Sequence, residues 1–186
     1  MGVLRPLHSG LFPLSAEIRT MRRAEAVLLW LTLTLLGTPA SGTQEYYGST
    51  VGNRFCTAPP SGEDIAAIRM TKNAVRLLSV QVKYGETWSD VYGTKGGTSK
   101  EFVLNPGEYI TQVSGSYMIN ILHVTVYTDE GRKAIFGNKV GTEFTVFPPK
   151  DGQVLKGFCG FYFLGGLKSI GFEWGDPQET SDSSEE

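Results

Sequence analysis

Apolar and polar residues alternate through most of the chain. Val80, Val82 and Tyr84 are interleaved with Gln81 and Lys83, and Leu122, Val124 and Val126 with His123, Thr125 and Tyr127. A two-residue period is that of a half-buried strand. Between such runs stand Gly85-Glu86, Lys95-Gly96-Gly97, Asn105-Pro106-Gly107, Ser114-Gly115-Ser116, Asp129-Glu130-Gly131, Asn138 to Gly141, Lys150-Asp151-Gly152 and Gly165-Gly166. Turn signals recurring roughly every 8–12 residues predict a sheet protein. About eleven strands are expected, near 53–57, 64–71, 76–84, 88–92, 99–104, 109–114, 118–128, 132–137, 142–147, 153–163 and 167–174. No segment beyond residue 42 keeps a 3.6-residue apolar period. The fold class is therefore all-β, with sandwich, trefoil, prism and barrel left open by periodicity alone.

The N-terminal segment follows a different pattern. Arg22-Arg23 precede an apolar run from Ala26 to Leu36, and small residues follow through Pro39-Ala40-Ser41-Gly42. This is the order of a secretory signal peptide, with cleavage expected near Ala40 to Gly42. Eleven residues are too short for a bilayer span, which takes about 20. Residues 1–42 are thus read as leader and 43–175 as one domain. Residues 176–186 are read as a disordered acidic tail, because Asp176, Glu179, Asp182, Glu185 and Glu186 stand there among serines with no apolar anchor.

Charge and composition narrow the chemistry. The net charge of −2 does not suit a phosphate-binding polycation, so no nucleic-acid partner is expected. The expected domain carries 13 basic and 12 acidic side chains and is close to neutral. His8 and His123 are the only imidazoles and Cys56 and Cys159 the only thiols, too few for a His-rich or all-thiolate zinc site. No metal or cofactor is expected. His123 falls within an alternating strand, and no Gly-x-Ser-x-Gly elbow accompanies it. Glu63-Asp64 and Asp129-Glu130 are neighbours in sequence; on a strand they would face opposite ways and could not act as a paired acid and base. The chain is not read as an enzyme. Pro106-Gly107 has the form of a type II turn, and Gly115 is read as a similar turn residue.

Four segments together resemble the jacalin-related lectins: SVQVKYGETWSDVYG (79–93), LNPGEYITQVSGSY (104–117), VTVYTDEGRKAIFGNKVGTEF (124–144) and LKSIGFEW (167–174). They are most similar to the animal secretory branch, the zymogen granule lectins. The resemblance covers about Tyr46 to Trp174. It implies a β-prism I, three four-stranded Greek-key sheets about a pseudo-threefold axis, with sugar bound by loops at one end. A secreted, monomeric, metal-independent glycan binder of exocrine or mucosal secretions follows from it. In the implied prism Cys56 and Cys159 share a sheet and either form a disulfide or remain two buried thiols.

The resemblance also implies a glycine-rich first loop offering backbone N–H groups and a late Gly-x-x-x-Asp loop offering a carboxylate. The first loop here is Gly48-Ser49-Thr50-Val51-Gly52-Asn53-Arg54, and Lys168 stands where the aspartate is expected. A lysine donates three hydrogen bonds and accepts none, so it cannot replace that carboxylate. Two readings result. Lys168, with Arg132 and Lys133 at the same end, favours an anionic glycan, sialylated or sulfated; alternatively the sugar site is vestigial and the prism binds a protein partner or receptor. The expected binding residues are Gly52, Asn53, Glu130, Gly131, Arg132, Tyr162 and Lys168, with Tyr162 taken as the exposed member of Phe161-Tyr162-Phe163.

Overall fold

The computed structural model describes residues 44–59 and 61–178. The expected leader, residues 1–42, and residues 179–186 of the expected acidic tail lie outside the described residues. Thirteen strands form three antiparallel sheets among the described residues, the β-prism I arrangement. The first sheet runs in the order β1 (Tyr47–Gly48), β13 (Gly166–Gly175), β12 (Val154–Phe163), β2 (Asn53–Cys56). The second has β5 (Thr87–Trp88), β4 (Leu77–Tyr84), β3 (Ile65–Lys72) and β7 (Thr98–Val103), with β6 (Tyr92–Gly93) also paired to β4. The third has β10 (Lys133–Gly137), β9 (Ile121–Thr128), β8 (Ile110–Tyr117) and β11 (Thr142–Val146).

The inward face of each sheet supplies the core. On β4, Val80, Val82 and Tyr84 are buried while Gln81 and Lys83 are half-exposed, as alternation requires. Ile68, Met70, Leu77, Val113, Ile121, Phe158 and Ile170 pack the interior and are almost wholly excluded from solvent. Each such aliphatic or aromatic side chain contributes about 1.5–3 kcal/mol by leaving water. Edge strands close the corners. Tyr47 on β1 stacks on Phe144 of β11 at 4.3 Å, and Phe55 on β2 stacks on Tyr92 of β6 at 5.2 Å. At the third corner Lys100 of β7 donates to the Ile135 carbonyl of β10 at 2.9 Å.

Three expected features differ. The single strand at 88–92 is two short ones, β5 and β6, separated by Ser89–Val91. Gly115 does not mark a turn: β8 runs straight through it. A Cβ at this position would stand 2.3 Å from the Phe144 ring and 2.6 Å from the His123 carbonyl oxygen, so its bare backbone makes room for an aromatic. The hairpin turn lies instead at Met118–Asn120, which the alternation of 118–128 had absorbed into a strand. Pro106-Gly107 is a turn as expected, with Gly107 at φ +78° and Glu108 N–H donating to the Asn105 carbonyl at 3.0 Å.

Candidate functional site

The strand directions sort the loops onto two ends. At one end lie 49–52, 73–76, 94–97, 118–120, 138–141 and 164–165. Side chains tie the sheets together there: Asn138 Nδ2 donates to the Ala74 carbonyl at 3.1 Å, and Lys72 Nζ donates to Asn138 Oδ1 at 3.3 Å. At the opposite end lie 57–64, 85–86, 104–109, 129–132 and 147–153.

At the first end, the 49–52 loop is held against the β12–β13 hairpin. Ser49 N–H donates to the Lys168 carbonyl at 3.0 Å. Gly48 (φ +108°) and Gly52 (φ +116°) make the contact possible, since a Cβ on either would come within 2.3 Å of the carbonyl oxygen of Lys168 or Tyr162, respectively. Both glycines serve close backbone approach. Lys168 sits in a bulge. Phe161 pairs with Ser169 and Tyr162 with Leu167, so Lys168 has no partner on β12. A bulge bends the strand and re-aims the side chains around it.

The exposed aromatic differs from the expected one because the two-residue period of β12 carries the core face from Phe158 through Gly160 to Tyr162. Tyr162 is not the exposed aromatic; it is partly buried, packed on the core, with its ring 6.2 Å from that of Phe55. Phe163 is 48% exposed instead, followed by Leu164 at 78%. Sequence reasoning also missed Arg76. Its guanidinium Nη1 would lie 3.0 Å from a Cβ on Gly165, so the β3–β4 loop sets a cation against the β12–β13 loop. Arg76 Nε is buried and has no hydrogen-bond partner. Neither Arg76 nor Lys168 forms an ion pair among the described residues.

The expected grouping is divided. Gly52, Asn53, Tyr162 and Lys168 belong to the first end, but Glu130, Gly131 and Arg132 lie at the other, as does neighbouring Lys133 at the start of β10. The expectation that Arg132 and Lys133 share an end with Lys168 does not hold. The reason is topological: β9 leaves the Met118–Asn120 turn and delivers residue 129 at the far end. There Glu130 Oε2 accepts from Asn105 Nδ2 at 2.7 Å, and Arg132 pairs with the buried Glu108. Burial alone would raise the Glu108 carboxyl. The Asn105 N–H, the Thr128 hydroxyl and the Arg132 guanidinium outweigh it and hold the group below the usual carboxylate range. A groove of about 590 Å³ opens beside these residues, bordered by Glu63, Asp64, Glu86 and Glu108.

Cys56 and Cys159 are opposite one another on β2 and β12 and are disulfide-bonded, S–S 2.06 Å. Glu173 approaches both sulfurs, but the bond between the sulfurs leaves no thiolate to ligate a metal. His123 is buried, with Nε2 2.8 Å from Thr125 Oγ1 and Nδ1 unpartnered. Burial, aided by Lys139, lowers its affinity for a proton. A buried imidazole hydrogen-bonded only to a threonine has no reacting partner.

The Jacalin-like lectin domain family matches residues 44–173. The human zymogen granule membrane protein 16 is 34% identical over 134 residues, covering 69% of this chain and 77% of that protein. The rat prostatic spermine-binding protein is 34% identical over 150 residues, covering 80% of this chain and 53% of its own length, so the chain spans about half of that relative. A solved prostate-specific WGA16 glycoprotein lectin superposes with a TM-score of 0.65 at 38% identity, covering 72% of this chain and all of that one. Malaysian banana lectin, at 20% identity and a TM-score of 0.60, shares the fold. With a three-sheet prism, a first loop seated on the last hairpin and a family match spanning nearly all described residues, the chain belongs to the jacalin-related lectins.

Proposed function

We propose that this lectin-family protein is secreted and takes anionic glycans, sialylated or sulfated, at the end formed by the 49–52, 73–76 and 164–168 segments. The observation that carries the reading is the pair of cations at the last hairpin. Lys168, partly exposed, sits in the bulge to whose backbone the first loop is hydrogen-bonded, and Arg76 lies against Gly165. Arginine and lysine donate and cannot accept, so the ligand group between them is an acceptor bearing negative charge. The leader at 1–42 supports secretion, and the N-terminal residue of protein recovered from the medium of expressing cells checks it.

The deciding measurement compares matched glycans. Sulfated and sialylated forms should bind more tightly than their neutral parents, and the preference should shrink as salt rises, because exposed charges are screened beyond about 8 Å at physiological ionic strength. Lys168→Glu combined with Arg76→Gln should abolish the preference without lowering the melting temperature. A neutral ligand bound with equal affinity would overturn the anionic reading. The second reading, a prism for a protein partner with a vestigial sugar site, is favoured by the lysine in place of an acceptor. Binding to no glycan, together with a partner insensitive to free sugar, would select it.

A further inference from the structure

Exposed large apolar side chains are unevenly placed. The first sheet carries Val51, Phe163 and Leu164 at the 49–52 and 164–165 loops; the second carries Val75; the third carries Met118, Ile119 and Val140. All belong to one end, and each sheet contributes. Leu164 is 78% and Ile119 74% exposed. Of the other exposed large apolar side chains among the described residues, Val103 and Phe147 stand at the opposite end and Val91 and Ile135 between the two. Scattered single apolar residues are ordinary on a protein surface, but tips concentrated at one end mark a place of contact.

The two ends differ in charge as well. Arg54, Arg76, Lys95, Lys139 and Lys168 surround the apolar end, and the acid near them, Glu143, is paired with Lys139. The other end is mixed: Glu63, Asp64, Glu86, Asp129, Glu130 and Asp151 stand there with Lys83, Lys133, Lys150 and Lys156, and Glu86 and Asp64 are ion-paired with Lys83 and Lys156. We infer that this end docks on an anionic phospholipid surface, with Val51, Val75, Met118, Ile119, Val140, Phe163 and Leu164 entering the interface and the cations meeting the headgroups. Charge complementarity selects this occupant. A second copy placed end to end would set its own cations against these. The apolar tips stand on separate loops of three sheets, a projecting arrangement suited to a deformable surface, and basic residues at such a surface each add to attraction by anionic lipid. The contact needs no carbohydrate and goes beyond the glycan reading.

The test is co-sedimentation of the full protein with vesicles of phosphatidylcholine alone and of phosphatidylcholine with about 30% phosphatidylserine, free of any glycolipid. Binding to the anionic vesicles should exceed binding to neutral ones by about tenfold and weaken with salt. Ile119→Asp and Leu164→Asp, each at an exposed turn, should reduce it about tenfold with an unchanged melting temperature. Phe147→Asp at the opposite end should leave it unaltered. No binding to the anionic vesicles, equal binding to neutral ones, or full binding by both end variants would overturn the inference. So would a dimer at sedimentation equilibrium that Ile119→Asp and Leu164→Asp dissociate, because the end would then be an interface between copies. Loss of vesicle binding in Ile119→Asp, which stands outside the 49–52, 73–76 and 164–168 segments, with glycan affinity intact separates this contact from the sugar site.

Discussion

At the scale of single residues, identity and role come apart most clearly at the first loop. The family resemblance leads one to expect Gly52 to offer its backbone to sugar; in this chain its hydrogen atom is what lets the loop lie on the Tyr162 carbonyl. Gly52→Ala should therefore destabilise the fold by about 1–3 kcal/mol, through positive φ and overlap together. Thermal unfolding reads this directly, and any loss of glycan affinity should follow the loss of folded protein. His123 makes a separate prediction. Burial lowers its folded-state pKa below the unfolded value of about 6.5, so its neutral form stabilises the fold fully above that pH. The stability is lost as pH falls toward the folded value, where the unfolded chain binds the extra proton. Melting temperature should drop between pH 7 and pH 5, and His123→Gln should show a smaller drop. An equal drop in the variant would assign the effect to other groups.

At the scale of elements, the strands whose inner and outer positions alternate were legible in the sequence, and β3, β4, β12 and β13 fall close to their expected bounds. What escaped were places where a residue type usual for turns served packing. Gly115 between two serines has the composition of a loop, but the deciding contact is with Phe144 on β11, distant in sequence and invisible to a local pattern. Conversely, Met118 and Ile119 have the composition of a strand and form the exposed turn. At the site, alternation required one of Phe161-Tyr162-Phe163 to face the core, and it is Tyr162, on the same face of β12 as buried Phe158, that does so, leaving Phe163 exposed. Gly115→Ala tests the element directly. With Phe144 and the His123 carbonyl both in the way, it should cost about 1–3 kcal/mol as an overpacked site. Gly107→Ala has no such neighbour, and its cost should come from the φ of +78° alone.

At the scale of the molecule, the prism has two chemically different ends joined by one covalent tie. The disulfide links β2 to β12 across 103 residues of sequence, a closure that contributes about 4–5 kcal/mol in the chain-entropy model. Cys56→Ser with Cys159→Ser should lower the stability by an amount of that order while leaving the loops at the glycan end in place. The family resemblance indicated the prism and the shared sheet of the two cysteines, but which loops share an end depends on strand direction, and there the sequence placed Arg132 beside Lys168. Arg132→Ala discriminates between the two placements. The change leaves the buried Glu108 carboxylate without its cation, while the guanidinium itself is partly exposed, so the cost should be about 1–3 kcal/mol at neutral pH. Because the Glu108 pKa is lowered in the folded state, that contribution is present above the unfolded carboxylate value of about 4.3 and is lost as pH falls through the folded one. The stability gap between wild type and Arg132→Ala should thus close on acidification. Glycan affinity, measured at a temperature where both proteins are folded, should be the same in the two, since Arg132 stands at the end away from Lys168; a selective loss of anionic glycan binding in Arg132→Ala would mean that the ligand reaches the far end of the prism.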